Sequence, residues 1–251
     1  MNHHDHISFC LFFILFISSF FEVETFTPLG RWTHSSVLVG NKLYFFGGAS
    51  EKSCSNEVFY LDVSQQFSIE FPPFIDITAN EGIPFKSCRG TTLLRELNNE
   101  QTIFLCGGSI YDNVTNEDSF VHTLDLKSGR WNAPTITGKE PEKRTDIRGV
   151  IDDLGIIYIF GGKFDEMLND MIILNTNDLT WSYGPIDNGP LRRSLYTATL
   201  LSNGMIVYIG GLEQITNNNS PVDINQINIY NTKLNTWSVM VRICNDYYEI
   251  Y

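Results

Sequence analysis

The sequence has little positive charge. Lys and Arg number 17 against 29 Asp and Glu, which gives a formal net charge of -12 at pH 7. A protein that neutralises nucleic-acid phosphates carries the opposite balance of charge. The composition therefore excludes nucleic acid as an expected partner and disfavours anionic membrane surfaces.

Long apolar runs are also missing. No stretch reaches the roughly 18 to 20 apolar residues that a membrane-spanning helix needs, which excludes a multi-pass membrane protein. A shorter apolar run, from Ile7 to Phe21, lies where the hydrophobic part of a secretory signal belongs. We predict a signal peptide over residues 1–23 and a secreted protein. Because the leading segment has no Lys or Arg and no clear cleavage site follows, the alternative is an uncleaved, membrane-anchored signal.

Motifs that carry chemistry are scarce. The chain has no G-x-S-x-G, H-E-x-x-H or C-x-x-C motif, and strand-like sequence follows its diglycines where a phosphate loop would need a helix. Asp152 and Asp153 are adjacent, so a strand would place them on opposite faces rather than together as acid and base. We predict no catalytic residue, no cofactor and no metal, and a protein that is not an enzyme.

What the chain does contain is hydrophobic residues, at 43% of the total, and an internal repeat. An apolar, β-prone run ends in a glycine pair four times: KLYFFGG, TIFLCGG, IIYIFGG and MIVYIGG. Each pair is followed by a second strand-like run, an Asp or Asn, and an aromatic residue. An Arg precedes each pair, with Arg-to-Arg spacings of 58, 55 and 49 residues.

Each mark has a physical reason. Two apolar runs joined by a short turn such as Gly40-Asn41 predict a β-hairpin. A glycine pair allows positive φ and a close approach of neighbouring backbone. Asp or Asn opens a tight turn, and the aromatic residue buries a broad face against the next sheet. Each period therefore predicts a four-stranded antiparallel sheet, and such sheets must stack to cover both faces.

The order Arg, hairpin, Gly-Gly, turn and Trp resembles the kelch repeat of β-propellers. We predict an all-β, kelch-type β-propeller over residues 24–251, with four four-stranded blades at about 31–72, 89–134, 144–184 and 193–241. The residues that match the kelch marks are Arg31, Gly47, Gly48 and Phe67; Arg89, Gly107, Gly108 and Trp131; Arg144, Gly161, Gly162 and Trp181; and Arg193, Gly210, Gly211 and Trp237. Phe67 stands where the repeat has Trp.

Four blades are fewer than the six or seven with which kelch propellers usually close. The sequence favours a truncated product first, then an open arc, and last a four-bladed ring. An open arc would expose apolar sheet surface, so self-association is expected of it.

Propeller geometry brings the loop between the second and third strands to the same end as the connection to the next blade. Cys54 lies in the first such loop and Cys88 in the first such connection, so we predict a Cys54–Cys88 disulfide. Cys106 is expected to be a buried thiol, and Cys244 has no predicted partner.

Two N-glycosylation sequons lie in the loops after the diglycines. Asn113 is the expected glycosylation site, because Pro221 handicaps the sequon at Asn218. These loops are polar, acidic and variable in length, which is typical of binding surfaces on a constant scaffold. The resemblance thus implies a module that binds a protein or glycan ligand. The alternatives are a copper oxidoreductase resembling galactose oxidase, which the two histidines beyond the signal, His34 and His122, do not support, and a membrane-anchored receptor-like ectodomain.

Overall fold

The computed structural model describes residues 26–51, 53–110, 119–216, 218–242 and 248–250. In this part of the chain nearly all regular structure is antiparallel sheet, as expected of a kelch propeller. The one described helix is a single turn, Thr78–Glu81, between the first and second blades.

Four main sheets follow one another along the described part of the chain, and each corresponds to one predicted repeat. Their strands are Ser35–Val39, Lys42–Phe46, Val58–Asp62 and Phe74–Asp76 in blade 1; Thr91–Leu97, Glu100–Cys106, Val121–Asp125 and Arg130–Asn132 in blade 2; Gly149–Ile151, Ile156–Phe160, Met171–Asn175 and Thr180–Tyr183 in blade 3; and Thr197–Leu200, Met205–Ile209, Gln226–Asn231 and Thr236–Arg242 in blade 4. The propeller prediction is confirmed.

Smaller pairings decorate these blades. Tyr248–Ile250 adds a fifth strand to the outer edge of blade 4. Ser87–Cys88 pairs with Ser109–Ile110, and Arg193–Ser194 pairs with Leu212–Ile215, which in turn pairs with Asn218–Pro221. These pairings extend the blades at the end where the diglycines lie.

The first strands of consecutive blades contact one another, from blade 1 to blade 2, blade 3 and blade 4. They are therefore the innermost strands, and the blades fan out from a common axis. We call the face of a blade that looks toward the next blade its forward face, and the opposite face its rear face. Side chains alternate between these two faces along each strand.

Each junction is an apolar layer between a forward face and a rear face. Tyr44 and Phe46 of blade 1 pack with Ile103 and Leu105 of blade 2. Phe104 and Cys106 of blade 2 pack with Ile157 and Ile159 of blade 3. Tyr158 and Phe160 of blade 3 pack with Ile206, Tyr208 and Trp237 of blade 4. The core of the described part of the chain is thus three layers between four blades.

The turn residues and the glycines of the repeat have the hydrogen bonds and backbone angles that the repeat requires. The Asp125 carboxylate accepts hydrogen bonds from the backbone N–H groups of Lys127 and Ser128, at 2.8 and 3.0 Å. Asn231 plays the same part in blade 4. Gly161 has φ of 56°, and a Cβ on it would lie 2.5 Å from the Arg193 carbonyl oxygen. A side chain there would push blade 4 away from blade 3.

The aromatic mark of blade 1 was assigned wrongly. Phe67 lies in the loop before the fourth strand and is 40% exposed. Phe74 occupies the strand position instead, opposite Leu61, as Trp131 lies opposite Leu124 and Trp181 opposite Leu174. The reason is the connection after Asp62, which is longer than in the other blades, so that blade 1 continues to Asp76 rather than ending near residue 72.

Candidate protein-interaction face

Each blade is entered through a turn segment, and the four segments meet at one end of the axis. They are residues 31–34, 87–90, 144–147 and 193–196. The third residue of each has a positive φ, between 53° and 64°; these residues are Thr33, Arg89, Asp146 and Leu195. Because the same backbone shape recurs at the same place, the segments are structurally equivalent.

Backbone hydrogen bonds connect the turn segments from blade to blade. Arg89 N–H donates to Thr33 O at 2.9 Å, Asp146 N–H donates to Arg89 O at 2.8 Å, and Leu195 N–H donates to Asp146 O at 3.0 Å. A second series runs from the diglycines to the next blade. Gly48, Gly108 and Gly162 donate to the carbonyls of Ser87, Arg144 and Arg193, at 2.9, 2.9 and 2.8 Å. These bonds hold the axial end rigid.

A small cavity of about 170 Å³ opens where the turn segments converge, and all four blades contribute to its lining. Its lining residues include Arg89, Arg148 and a single carboxylate, Asp146. Arg89 Nη1 lies 3.1 Å from Asp146 Oδ2, whereas Arg148 is exposed. The cavity mouth is therefore a positively charged spot on a chain of net charge -12.

His34 also lines this cavity, at the start of blade 1. Burial lowers the pKa of His34 below its ordinary value, and the charges of Arg31 and Arg148 lower it further. Its surroundings thus favour the neutral form of the imidazole. It can serve the cavity as a hydrogen-bonding group rather than as a charge.

In three blades the first residue of the turn segment is an arginine whose side chain is buried. Arg31 donates to Gly47 O at 3.1 Å and pairs with Glu57 at 2.5 Å. Arg144 donates to Gly161 O at 3.0 Å and pairs with both oxygens of Asp170, at 2.5 and 3.0 Å. These arginines tie the start of a blade to its own diglycine and third strand.

Arg193 differs from the other two. It is fully buried, and its nearest carboxylate oxygen, Glu213 Oε2, is 3.9 Å from Nη2. Burial lowers the pKa of Arg193, while Glu213 raises it. The blade 4 arginine is thus the least well paired of the three.

Arg89 does not occupy the arginine place of blade 2, contrary to the sequence-based assignment. Ser87 does, because its carbonyl receives the Gly48 N–H as the Arg144 carbonyl receives that of Gly108. The first two strands of blade 2 are each seven residues long, whereas those of blade 1 are five residues long, and this lengthens the spacing to the diglycine.

The acidic partner of the arginine is also replaced in blade 2, by Phe120. Gly107 N–H donates to Phe120 O, as Gly47 N–H donates to Glu57 O in blade 1. Both members of the ion pair are therefore replaced together.

The three described cysteines lie at the same end of the propeller. Cys54 and Cys88 form a disulfide that joins the second loop of blade 1 to the entry of blade 2. Cys106 is a buried thiol whose pKa is raised to about 12 by burial. Cys244, the sequon residue Asn113 and the predicted signal peptide at residues 1–23 lie outside the described residues.

A comparison with known families decides what kind of propeller this is. The family described as Attractin/LZTR1 beta-propeller matches residues 16–247, which is nearly the whole chain. The chain belongs to the Attractin/LZTR1 β-propeller family. Its blades are kelch repeats, as their marks and the relatives both indicate.

Curated relatives agree with the family. Kelch domain-containing protein 3 of Rattus norvegicus is 26% identical over 221 residues, which are 82% of this chain and 56% of that protein. Kelch domain-containing protein 1 of Homo sapiens is 26% identical over 228 residues, or 82% of this chain and 53% of that protein. Host cell factor of Drosophila melanogaster is 26% identical over 210 residues, covering 76% of this chain and 14% of that protein. This chain spans about half the length of the two kelch domain-containing relatives.

The remaining candidates for chemistry are spread over this Attractin/LZTR1-type propeller. His34 lies at the axial cavity, while His122 is buried between blades 1 and 2, with its ring 4.3 Å from that of Phe85. Among the described residues, no group of three or more His, Cys, Asp or Glu could hold a metal ion. The same part of the chain has no helix that is long and apolar enough to cross a membrane.

Sequence reasoning missed Arg148 and the two counterparts Ser87 and Phe120. Arg148 follows a turn segment by one residue and belongs to no motif, so only the convergence of the blades brings it to the cavity. Ser87 could have been found by counting from the start of the first strand rather than from the diglycine. A second signal for these replacements was that the blade 2 repeat lacks both the arginine and its acidic partner.

Proposed function

We propose that this protein is a non-catalytic interaction module that binds a protein partner at its axial end. The partner presents a carboxylate-rich segment to the cavity formed by the four turn segments. Membership of a kelch propeller family favours a protein-interaction role. The geometry of the cavity supports the proposed location and the proposed chemistry of the partner.

The observation that carries the proposal is the charge of the cavity mouth. Two arginines, Arg89 and Arg148, line the cavity together with one carboxylate, so the local charge is positive. The chain as a whole has 29 acidic and 17 basic side chains and is negative. An acidic partner would be repelled by most of this surface and attracted at this spot, so charge guides it to one place. A guanidinium also binds a carboxylate through two parallel hydrogen bonds, which adds geometric selectivity.

Rigidity supports the same role. The turn segments are joined by hydrogen bonds between blades, and the Cys54–Cys88 disulfide fixes the neighbouring loop. A partner that binds there pays little for ordering the protein surface. A glycan ligand bound by the loops after the diglycines is the second chemistry that the sequence allows.

We further propose that the protein acts outside the cytoplasm, secreted through its amino-terminal apolar segment. The Cys54–Cys88 pairing supports this address, because disulfides persist in oxidising compartments. Expression in secretory cells tests it. We expect the chain in the medium, an amino terminus beyond residue 23, and a mass shift at Asn113 on deglycosylation. Retention of the chain in the cytosol with a reduced Cys54 would contradict it.

The binding proposal is tested with a peptide library displayed on phage and selected against the purified chain. We expect the enriched peptides to be acidic, with binding that weakens as salt rises. Arg148→Glu should abolish the enrichment, and Arg130→Glu, an exposed arginine on the outer edge of blade 2, should leave it unchanged. Enrichment of peptides without carboxylates, or equal effects of the two variants, would contradict the proposal.

A further inference from the structure

Blade 4 has a forward face against which no described residue packs a further blade. Along its second strand, Ile206 and Tyr208 are fully buried against blade 3, whereas Val207 and Ile209 are only half-buried. Along its third strand, Tyr230 is buried and Ile229 is half-buried. The corresponding forward-face residues of blade 1, Tyr44 and Phe46, are buried by blade 2.

The rear face of blade 1 also has no described blade against it, although the chain covers part of it. Leu43, Phe45 and Phe74 are half-buried there, whereas Phe59 is buried and contacts the ring of Phe26 and the guanidinium of Arg31. They border an apolar cavity of about 460 Å³ that Phe26 and Phe71 help to line. In blades 2 to 4, by contrast, the rear face is sealed by the blade before it.

The backbone groups at these two faces are complementary. In the described structure, each diglycine except the last donates its second N–H to the next blade, and Gly211 holds that place at the open edge of blade 4. Arg31 O, at the open edge of blade 1, is the counterpart of the carbonyls that accept these bonds. The ladder of turn segments likewise begins at Thr33 and stops at Leu195 O. The two open ends therefore offer matching donors and acceptors.

The surroundings of Gly210 also lack a neighbouring blade among the described residues. A Cβ on Gly107 or Gly161 would lie 2.8 or 2.5 Å from a carbonyl oxygen of the following blade. A Cβ on Gly210 would meet nothing nearer than Ile224 Cδ1, at 3.9 Å. A glycine with the backbone shape for blade docking, φ of 66°, is thus present where the described structure has no blade to dock.

We propose that the forward face of blade 4 binds the rear face of blade 1 of a second copy of this chain. The junction repeats the three junctions within the chain: an apolar layer, a bond from Gly211 N–H to the partner's Arg31 O, and a bond from the partner's Thr33 N–H to Leu195 O. Such a head-to-tail interface closes into a ring when the rotation allows it. The binding of peptides at the axial cavity does not depend on it.

Sedimentation velocity over a range of concentrations tests the proposal with two charge-insertion variants. Ile229→Glu places a charge in the blade 4 face, and Leu43→Glu places one in the blade 1 face; Leu201→Glu, at an exposed turn of blade 4, is the control. We expect the wild type and the control to associate. Each face variant should weaken association at least about tenfold, because a charge cannot be buried unpaired in an apolar layer. Circular dichroism and a single unfolding transition establish that each variant is folded.

Mixing the two face variants gives the most specific readout. The intact blade 4 of Leu43→Glu can bind the intact blade 1 of Ile229→Glu, while the other two faces are blocked. We expect the mixture to form a species of two chains and none larger, although each variant alone stays a monomer. Three results would each overturn the proposal. The wild type could be monomeric at all concentrations, neither face variant could weaken association, or the mixture could stay monomeric. Phe45→Glu serves as a second blade 1 variant if Leu43→Glu does not fold.

Discussion

Arg144 Nη1 lies 2.5 Å from Asp170 Oδ1, and Arg144 Nη2 lies 3.0 Å from Asp170 Oδ2. This two-bond pair connects the entry of blade 3 to the residue that precedes its third strand, and the arginine is only 1% exposed. Arg31 and Glu57 make the equivalent pair in blade 1. Blade 2 has Ser87 and Phe120 instead, so the same fold accommodates either a charged or an uncharged pair at this place.

Asp170→Asn should destabilise the protein, because Arg144 would keep its charge in a buried place without a carboxylate. Since the Asp170 side chain is 32% exposed, we expect a loss of about 1–3 kcal/mol, below the range for fully buried pairs. Urea unfolding measures it. Glu142→Gln removes an exposed charge nearby and should change stability by less than about 0.5 kcal/mol.

A double variant copies the blade 2 solution into blade 3. Asp170→Phe alone should be more destabilising than Arg144→Ser combined with Asp170→Phe, because the double variant leaves no buried unpaired charge. The free energies of unfolding of the four chains form the cycle. If the two single changes add without coupling, the ion pair does not act as a unit and this account of blade 2 is wrong.

Trp237→Ala should cost about 3–5 kcal/mol. The ring packs on Phe160 of blade 3 at 4.9 Å between centroids, and its Nε1 donates to Pro185 O at 3.0 Å. Phe67→Ala is the matched test of the corrected assignment and should have little effect, while Phe74→Ala should be clearly destabilising, since Phe74 contacts Phe59 at 5.7 Å. Thermal unfolding of the three variants checks the order. A large effect at Phe67 and none at Phe74 would restore the original assignment.

Removing the Cys54–Cys88 disulfide should lower stability by roughly 3–4 kcal/mol, because the cross-link closes a loop of about 34 residues in the unfolded chain. The variant with Cys54→Ser and Cys88→Ser, compared with wild type by urea unfolding without reductant, measures this loss.

The buried Cys106 thiol should resist alkylation in the folded protein, since its pKa is raised to about 12. Rapid native alkylation at Cys106 would show that the layer between blades 2 and 3 is not closed.

His34 should make stability depend on pH. Its pKa is lowered in the folded state, so just below the ordinary value of about 6.5 the unfolded chain binds a proton that the folded chain does not. This contribution is present above pH 6.5 and is lost as pH falls through the folded pKa. Urea unfolding at several pH values between 7.5 and 5 should show a smaller decline for His34→Gln than for wild type. Parallel curves would contradict the assigned surroundings of His34.

The repeat was visible in the sequence because its marks carry strong local constraints. Gly161 must be glycine for steric reasons, and Asp125 closes a turn through its own carboxylate, so both recur at fixed spacing. The strands could be predicted from the same repeat. The position in blade 2 that corresponds to the arginine of the other blades could not be found by spacing. The longer hairpin of blade 2 places Ser87 four residues further from its diglycine than Arg31 is from its own.

The axial cavity could not be predicted in the same way. Thr33, Asp146 and Leu195 share a positive φ although their side chains have nothing in common, so no pattern of residue types marks the turn. The backbone bonds between neighbouring blades impose that shape. Arg148 likewise reaches the cavity only through the stacking of blade 3 beside blades 2 and 4. Convergence of distant segments is a property of the fold and leaves no local signal.

Equivalent blades stack around one axis, and the described series has an open forward edge at blade 4. Amide hydrogen exchange of the Ile229→Glu chain, held at a concentration where it is monomeric, tests this most directly. The account predicts slow exchange at Gly48, Gly108 and Gly162, whose N–H groups donate to the next blade, and fast exchange at Gly211. Fast exchange at all four glycines, or protection of Gly211 equal to that of the other three, would contradict it.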